Sequence, residues 1–345
     1  MTKYKFDEIA INSTQKKKPT EEDKVYYIGL EHIDPGCFDV VRWGSDVAPT
    51  GDKLLMQKGD VLFGKRRAYQ RKVAIAPFDG IFSAHGMVLR PNLKVIDANY
   101  FPFFISSDKF METAVRISVG GLSPTINWKD LARQEFELPS LDEQKVLADK
   151  LWAAYRLKEA YKKLLVATDE MVKSQFIEMF GGLCQDTPWS DVVTITNGKA
   201  YPEEYQEEGA YPICGSGGIM CYGEKKLCNG NTTILGRKGN INNPIFMESG
   251  YWIVDTAFSI DVDKAKLHPK FFYYWCCQYD FTKLNKQGVL PSLTRKDLEK
   301  VKMAIPQMRD QLKFVSIAEQ ADKSKFELKQ CIEHIDKVIK SLING

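Results

Sequence analysis

The 345-residue sequence has no apolar run near the roughly 20 residues that a membrane-spanning helix needs. Its start, Met1 to Asp7, is polar and lacks the pattern of a secretory leader. A cytoplasmic chain with no membrane partner is therefore expected. Metal-ligand spacing is missing too: no C-x-x-C occurs among eight cysteines, and there are only four histidines. The cysteines are expected to be reduced and structural. A net charge of +3 excludes a polycation, so any nucleic-acid binding must come from local clusters. No phosphate loop is present either. Gly218 to Gly223 has the G-x-x-x-x-G step, but Glu224-Lys225 follows where Lys-Ser or Lys-Thr is required. The expectation is a chain without cofactor, metal or catalytic residues.

Proline and glycine are absent from two long stretches, Leu141 to Glu178 and Met308 to Ile343. In the first, Leu147, Leu151, Ala154, Tyr161, Leu165 and Val172 recur at the spacing of one buried helical stripe. At about 1.5 Å per residue such a helix spans on the order of 55 Å, so it needs a long partner. The second stretch supplies one, because Leu328, Ile332, Ile335, Ile339 and Leu342 alternate steps of four and three, as a coiled-coil seam does.

Both stretches belong to an internal repeat. With Gly121 placed on Gly288, Pro124 falls on Pro291, Lys129-Asp130-Leu131 on Lys296-Asp297-Leu298, Pro139 on Pro306 and Gln144 on Gln311. Farther on, Lys158 and Asp169 fall on Lys325 and Asp336, giving 13 identities in 58 ungapped positions at an offset of 167. Their grouping at turns and helix starts marks one unit occurring twice.

Each helix follows a globular segment of mixed character. In the first, Val25 to Leu30, Val61 to Phe63, Val73 to Ala76 and Met87 to Leu89 read as strands, and Tyr100 to Ile105 and Phe110 to Arg116 as helical. An α+β fold follows. Lys58 to Lys72 carries six basic residues against Asp60. Lys65, Arg66, Arg67, Arg71 and Lys72 follow a strand and a glycine, so several are expected to splay from one loop. They suit phosphate contacts, and the arginine fork also fits guanine; a plain solvated loop is the competing reading. In the second globule, Gly64-Lys65-Arg66 lines up on Gly236-Arg237-Lys238, followed by Asn240, Asn242 and Asn243. Asparagine suits adenine edges as arginine suits guanine, although Gly239 to Pro244 also fits a plain surface turn. The aromatic run Phe271 to Cys277 fits the core of a helix better than a base-stacking platform.

The loops Gly120 to Ile126 and Gly288 to Leu293, the segment Leu138-Pro139-Ser140-Leu141-Asp142-Glu143-Gln144 and the long helices resemble the specificity subunit of type I restriction–modification enzymes. The resemblance extends over essentially the whole chain and is weakest over residues 1 to 115. It implies target recognition domains at 1–140 and 181–307, joined by antiparallel spacer helices at 141–180 and 308–345 with pseudo-twofold internal symmetry. It further implies double-stranded DNA and two methyltransferase subunits as partners, with or without restriction subunits. Each domain would read half of a split, asymmetric target for adenine-N6 methylation, the helices setting the gap. The chain would itself be inert, since neither an Asn-Pro-Pro-Tyr type motif nor a Gly-rich methyl-donor loop occurs. A free-standing DNA- or RNA-binding adaptor shares the basic loops but gives no reason for the repeated helices.

Overall fold

The computed structural model describes residues 1–284 and 292–344. Of the second turn-forming loop expected at Gly288 to Leu293, residues 288–291 lie outside the described residues. The chain forms two compact units, Met1–Lys162 with Gln330–Gly345, and Lys163–Lys329. The helix Leu141–Phe180 and the helix Met308–Asn344 each contribute to both. Among the described residues, no helix is long and apolar enough to cross a membrane.

In the first unit, an antiparallel sheet orders the strands Ala10–Ser13, Met87–Pro91, Val61–Phe63 and Val73–Ile75. These middle strands are apolar without alternation because both faces are covered. Val61, Phe63, Met87 and Leu89 pack into one core, while Leu62, Ala74 and Val88 point into another. The second core lies under a smaller sheet of Lys16–Lys17, Lys53–Met56, Gly80–Phe82 and Tyr27–Ile28. The stretch Val25 to Leu30 is mostly not the strand its sequence suggests. Thr20 N–H donates to Asp23 Oδ2 at 2.8 Å and starts the 3-10 turn Glu21–Tyr26, leaving Tyr27–Ile28 to pair. A local Thr-x-x-Asp cap thus wins over β-branched propensity.

The second unit repeats the first sheet strand for strand. Val193–Asn197, Ala257–Val262, Thr232–Gly236 and Ile245–Met247 take the same order, all antiparallel. Again the two faces serve two cores, with Leu235, Phe258 and Ile260 on one side and Ile234 and Ala257 on the other. Three buried hydroxyls here satisfy each other: Thr232 Oγ1 lies 2.8 Å from Tyr251 Oη, which donates to Ser259 Oγ at 2.6 Å. The smaller sheets share only a parallel pair, Tyr27–Ile28 beside Gly80–Phe82 and Tyr211–Gly215 beside Trp252–Ile253. The Gly-rich segment forms a hairpin, with Gly218 at φ +113° in the turn to Gly218–Gly223. Phe271, Phe272, Tyr274, Trp275 and Cys276 are core of the helix Pro269–Gln278.

Gln144 and Gln311 explain the conserved spacing between the two repeats around each long-helix start. Gln144 is fully buried; its Nε2 donates to Pro139 O at 2.9 Å and Val95 O at 3.0 Å, and its Oε1 accepts from Asp97 N at 2.8 Å. Gln311 does the same with Pro306 O, Lys266 O and His268 N, each at 2.8 Å. One amide side chain thereby satisfies buried backbone groups of the strand end, the helix start and a head loop together. In the first unit the helices also meet the head through Tyr155, whose Oη accepts from Phe38 N at 2.8 Å and donates to Asp39 Oδ2 at 3.1 Å.

Candidate nucleic-acid interface

The basic run of the first head leaves the central strand Val61–Phe63 and meets the loop that precedes the first spacer helix. Ile126 N donates to Lys65 O at 3.0 Å, Arg66 bridges to Thr125, and Arg67 N donates to Pro124 O at 2.7 Å. Arg67 adopts φ +56°, a left-handed conformation unusual for an arginine. That turn brings both guanidinium groups to one hydroxyl. Ser123 Oγ accepts from Arg66 Nη2 at 3.2 Å, Arg67 Nε at 3.2 Å and Arg67 Nη2 at 3.1 Å. Neither arginine pairs with a carboxylate among the described residues, so their charge is aimed but not neutralised.

More cations stand around them. Partial burial, then the nearby Lys16, pulls the Lys65 ammonium below the ordinary lysine range. His85 is pulled below its usual value by burial first, then by Arg66, Lys65 and Lys53. Arg66 Nη1 donates to its Nε2 at 3.3 Å, which requires that nitrogen to be unprotonated. Cations that depress one another in this way mark a field suited to an anion. The sequence singles out Ser123 only within the turn-forming loop Gly120 to Ile126, and leaves Lys16, Lys53 and His85 out of the candidate site. The Lys16-Lys17-Lys18 run is visible in the sequence, whereas Lys53 and His85 join the group only through the fold.

Arg71 and Lys72 are directed elsewhere. Arg71, at φ +53°, donates to Asp108 Oδ1 at 2.6 Å and to Ser106 O at 3.0 Å. Lys72 Nζ donates to Leu30 O at 2.6 Å. The five basic residues therefore divide into a set of three at the loop and two that tie parts of the head together.

In the second head, Leu293 N donates to Arg237 O at 2.9 Å and Lys238 bridges to Ser292. These are the bonds of Lys65 and Arg66 repeated, with the loop partners offset by 167 residues and the basic pair by 172, so Arg237 stands where Lys65 does and Lys238 where Arg66 does. The Arg237 guanidinium lies 5.9 Å from the Phe258 ring centre, within cation–π range. Gly236 is required, because a Cβ there would lie 2.0 Å from Asn240 O. The Asn240 and Asn243 side chains are exposed. Asn242 is engaged internally, donating to Asp280 Oδ1 at 3.0 Å and accepting from Phe281 N at 2.7 Å. Among the described residues no group of His, Cys, Asp or Glu could hold a metal ion.

A family model described as the type I restriction modification DNA specificity domain matches this chain twice, over residues 3–165 and 185–337. The Escherichia coli type I restriction enzyme EcoDI specificity subunit is 26% identical over 142 residues, 41% of this chain. That match spans 31% of the relative, about a third of its length. The S subunit of a type I restriction-modification system from M. genitalium superposes with a TM-score of 0.64 at 17% identity, covering 100% of this chain and 96% of its own. A chain from a structure of type I R-M complex assembly and conformational transition gives 0.60 at 16% identity, covering 99% and 96%. At such identities the likeness is one of fold.

Proposed function

The chain belongs to the type I restriction modification DNA specificity family, and from that premise we propose that it reads a split DNA target without catalysing a reaction itself. Each head reads one half-site of double-stranded DNA. Residues 1–140 and 181–307 are the reading domains, and the helices 141–180 and 308–345 set the number of uncontacted base pairs between the halves. The observation that carries this reading is the shared position of Lys65-Arg66 and Arg237-Lys238. The same backbone bonds hold both pairs at the same point of the same sheet, while the residues that follow differ completely. A common phosphate-gripping position with divergent neighbours is what two readers of unlike half-sites need. Arg66 and Arg67 grip phosphate in the first head, and the exposed Asn240 and Asn243 are the base-reading candidates of the second; Arg71, Lys72 and Asn242 act by holding the loops.

Two methyltransferase subunits dock on the chain and supply adenine-N6 methylation, and restriction subunits, where they join, supply cleavage. On the first long helix, Ala153, Leu157, Ala160, Leu164, Ala167 and Met171 alternate steps of four and three and are all exposed. That is a second seam, with Leu157 at 45% and Leu164 at 49% exposure, and it fits a partner's helix. The equivalent positions of the other helix, from Gln320 to Val338, are mostly polar. The test is a genome-wide map of N6-methyladenine in cells expressing the methyltransferase subunit with and without this chain. A split motif with unlike halves that depends on the chain supports the reading, and no chain-dependent methylation rejects it.

A further inference from the structure

Leu122 is 96% exposed at the tip of the loop that the arginines brace. The loop is a small hairpin: Val119 N donates to Thr125 O at 3.0 Å, and Thr125 N to Val119 O at 2.9 Å. Gly120 reverses the chain at φ +117°. On its far side, Thr125 bridges to Arg66, so the tip stands on a three-segment base. Ser123, next to Leu122, is fixed by both guanidinium groups. A branched apolar side chain is thus held out into solvent on a braced support, inside a field of Lys16, Lys53, Lys65, Arg66, Arg67 and His85.

An apolar tip seeks an apolar contact, and the charge around it selects a polyanion as the surface that offers one. Duplex DNA has both, with phosphates outside and base faces within. We propose that Leu122 enters the duplex as a wedge between adjacent base pairs while Arg66 and Arg67 hold the flanking phosphates. The unstacked step then kinks the duplex away from the inserted side chain. This rests on the reading that the braced loop faces DNA. A leucine suits the role because it fills the gap between base pairs and has no donor or acceptor that would prefer one sequence.

The experiment uses the full chain in complex with its methyltransferase subunit, and duplexes carrying the mapped motif with 2-aminopurine at one position at a time. Unstacking 2-aminopurine raises its fluorescence. The native complex should raise it by about twofold or more at one step in the first head's half-site. Leu122→Ala should abolish that rise while the complex still binds the duplex, and Leu122→Phe should restore it. An equal rise with Leu122→Ala, or no responsive step under saturating native complex, overturns the wedge and leaves DNA reading intact. Loss of methyltransferase binding in Leu122→Ala with unchanged fluorescence would assign the tip to that partner and also overturn it. Failure of the native complex to bind the duplex overturns the wedge and the DNA-reading function together.

Discussion

Lys158 of the first long helix is 7% exposed and donates to Asp336 of the second at 3.0 Å; its counterpart Lys325 donates to Asp169 at 2.8 Å, with the helices exchanged. Each pair belongs to one unit, and together they are the same residues of the repeat used reciprocally. In Lys325, burial pulls the ammonium down, but hydrogen bonds to Asp169 and Asp322 outweigh it and hold it above the ordinary lysine range. Asp336→Ala leaves Lys158 with Gly36 O at 3.3 Å and the Tyr155 ring. Because the Asp336 carboxylate is half exposed, the expected loss is about 1–3 kcal/mol, below that of a fully buried pair. Urea unfolding measures it, and Lys158→Met combined with Asp336→Leu should recover most of the loss.

Gln144→Ala should cost more. It leaves Asp97 N, Val95 O and Pro139 O without their partner in a buried site, at about 1–3 kcal/mol for an unsatisfied group. A loss of about 2–5 kcal/mol is expected, and Gln311→Ala should match it. A thermal melt showing either variant unchanged would remove the amide from the junction.

Which parts of this were legible in the sequence follows from how local their causes are. The long helices show in an unbroken period, and the Pro-to-Gln step shows as a repeat, since one turn of chain contains its whole hydrogen-bond set apart from a head loop. The strand Val61–Phe63 is legible because burial on both faces leaves an unbroken apolar run. The basic run is legible as composition but not as a site. Its division is decided by Asp108 and Ser123, which lie 37 and 57 residues away along the chain from Arg71 and Arg66. The turn at Val25 to Leu30 is missed because a Thr-Asp cap overrides side-chain type.

Arg66→Ala and Arg67→Ala should each weaken binding to every DNA sequence if they hold phosphates. Each contact removed lowers the slope of log K against log salt by about 0.9. Ser123→Ala should show a smaller loss, because it frees the guanidinium groups without removing charge. Anisotropy titrations over a salt series distinguish this from base reading, in which discrimination at one position relaxes while the slope holds.

His85 should make the proposed DNA binding sensitive to pH. Burial and the neighbouring cations hold its free-state value below the usual imidazole range, and an arriving phosphate opposes the cations and raises it. Binding therefore takes up a proton, and affinity rises as pH falls below the raised value. The gain levels off below the free-state value, at about tenfold for each unit of rise. His85→Ala should flatten this dependence between pH 7 and 5.5, and a native affinity constant over that range would contradict it.

Leu157→Glu with Leu164→Glu puts two charges on the exposed seam and should reduce recovery of the methyltransferase subunit in co-purification by about tenfold or more. Helical content should stay unchanged, because both side chains already face solvent. The equivalent changes at Ser324 and Cys331 should have a weaker effect.

The central claim is that two heads on a helical ruler read a split target, and adding one heptad to each long helix tests it most directly. Seven residues keep the seam in register and add about 10 Å, or about three base pairs of duplex. Methylation mapping should return the same two half-motifs with the gap widened by about that number. An unchanged gap, or a change in either half-motif, would contradict the account.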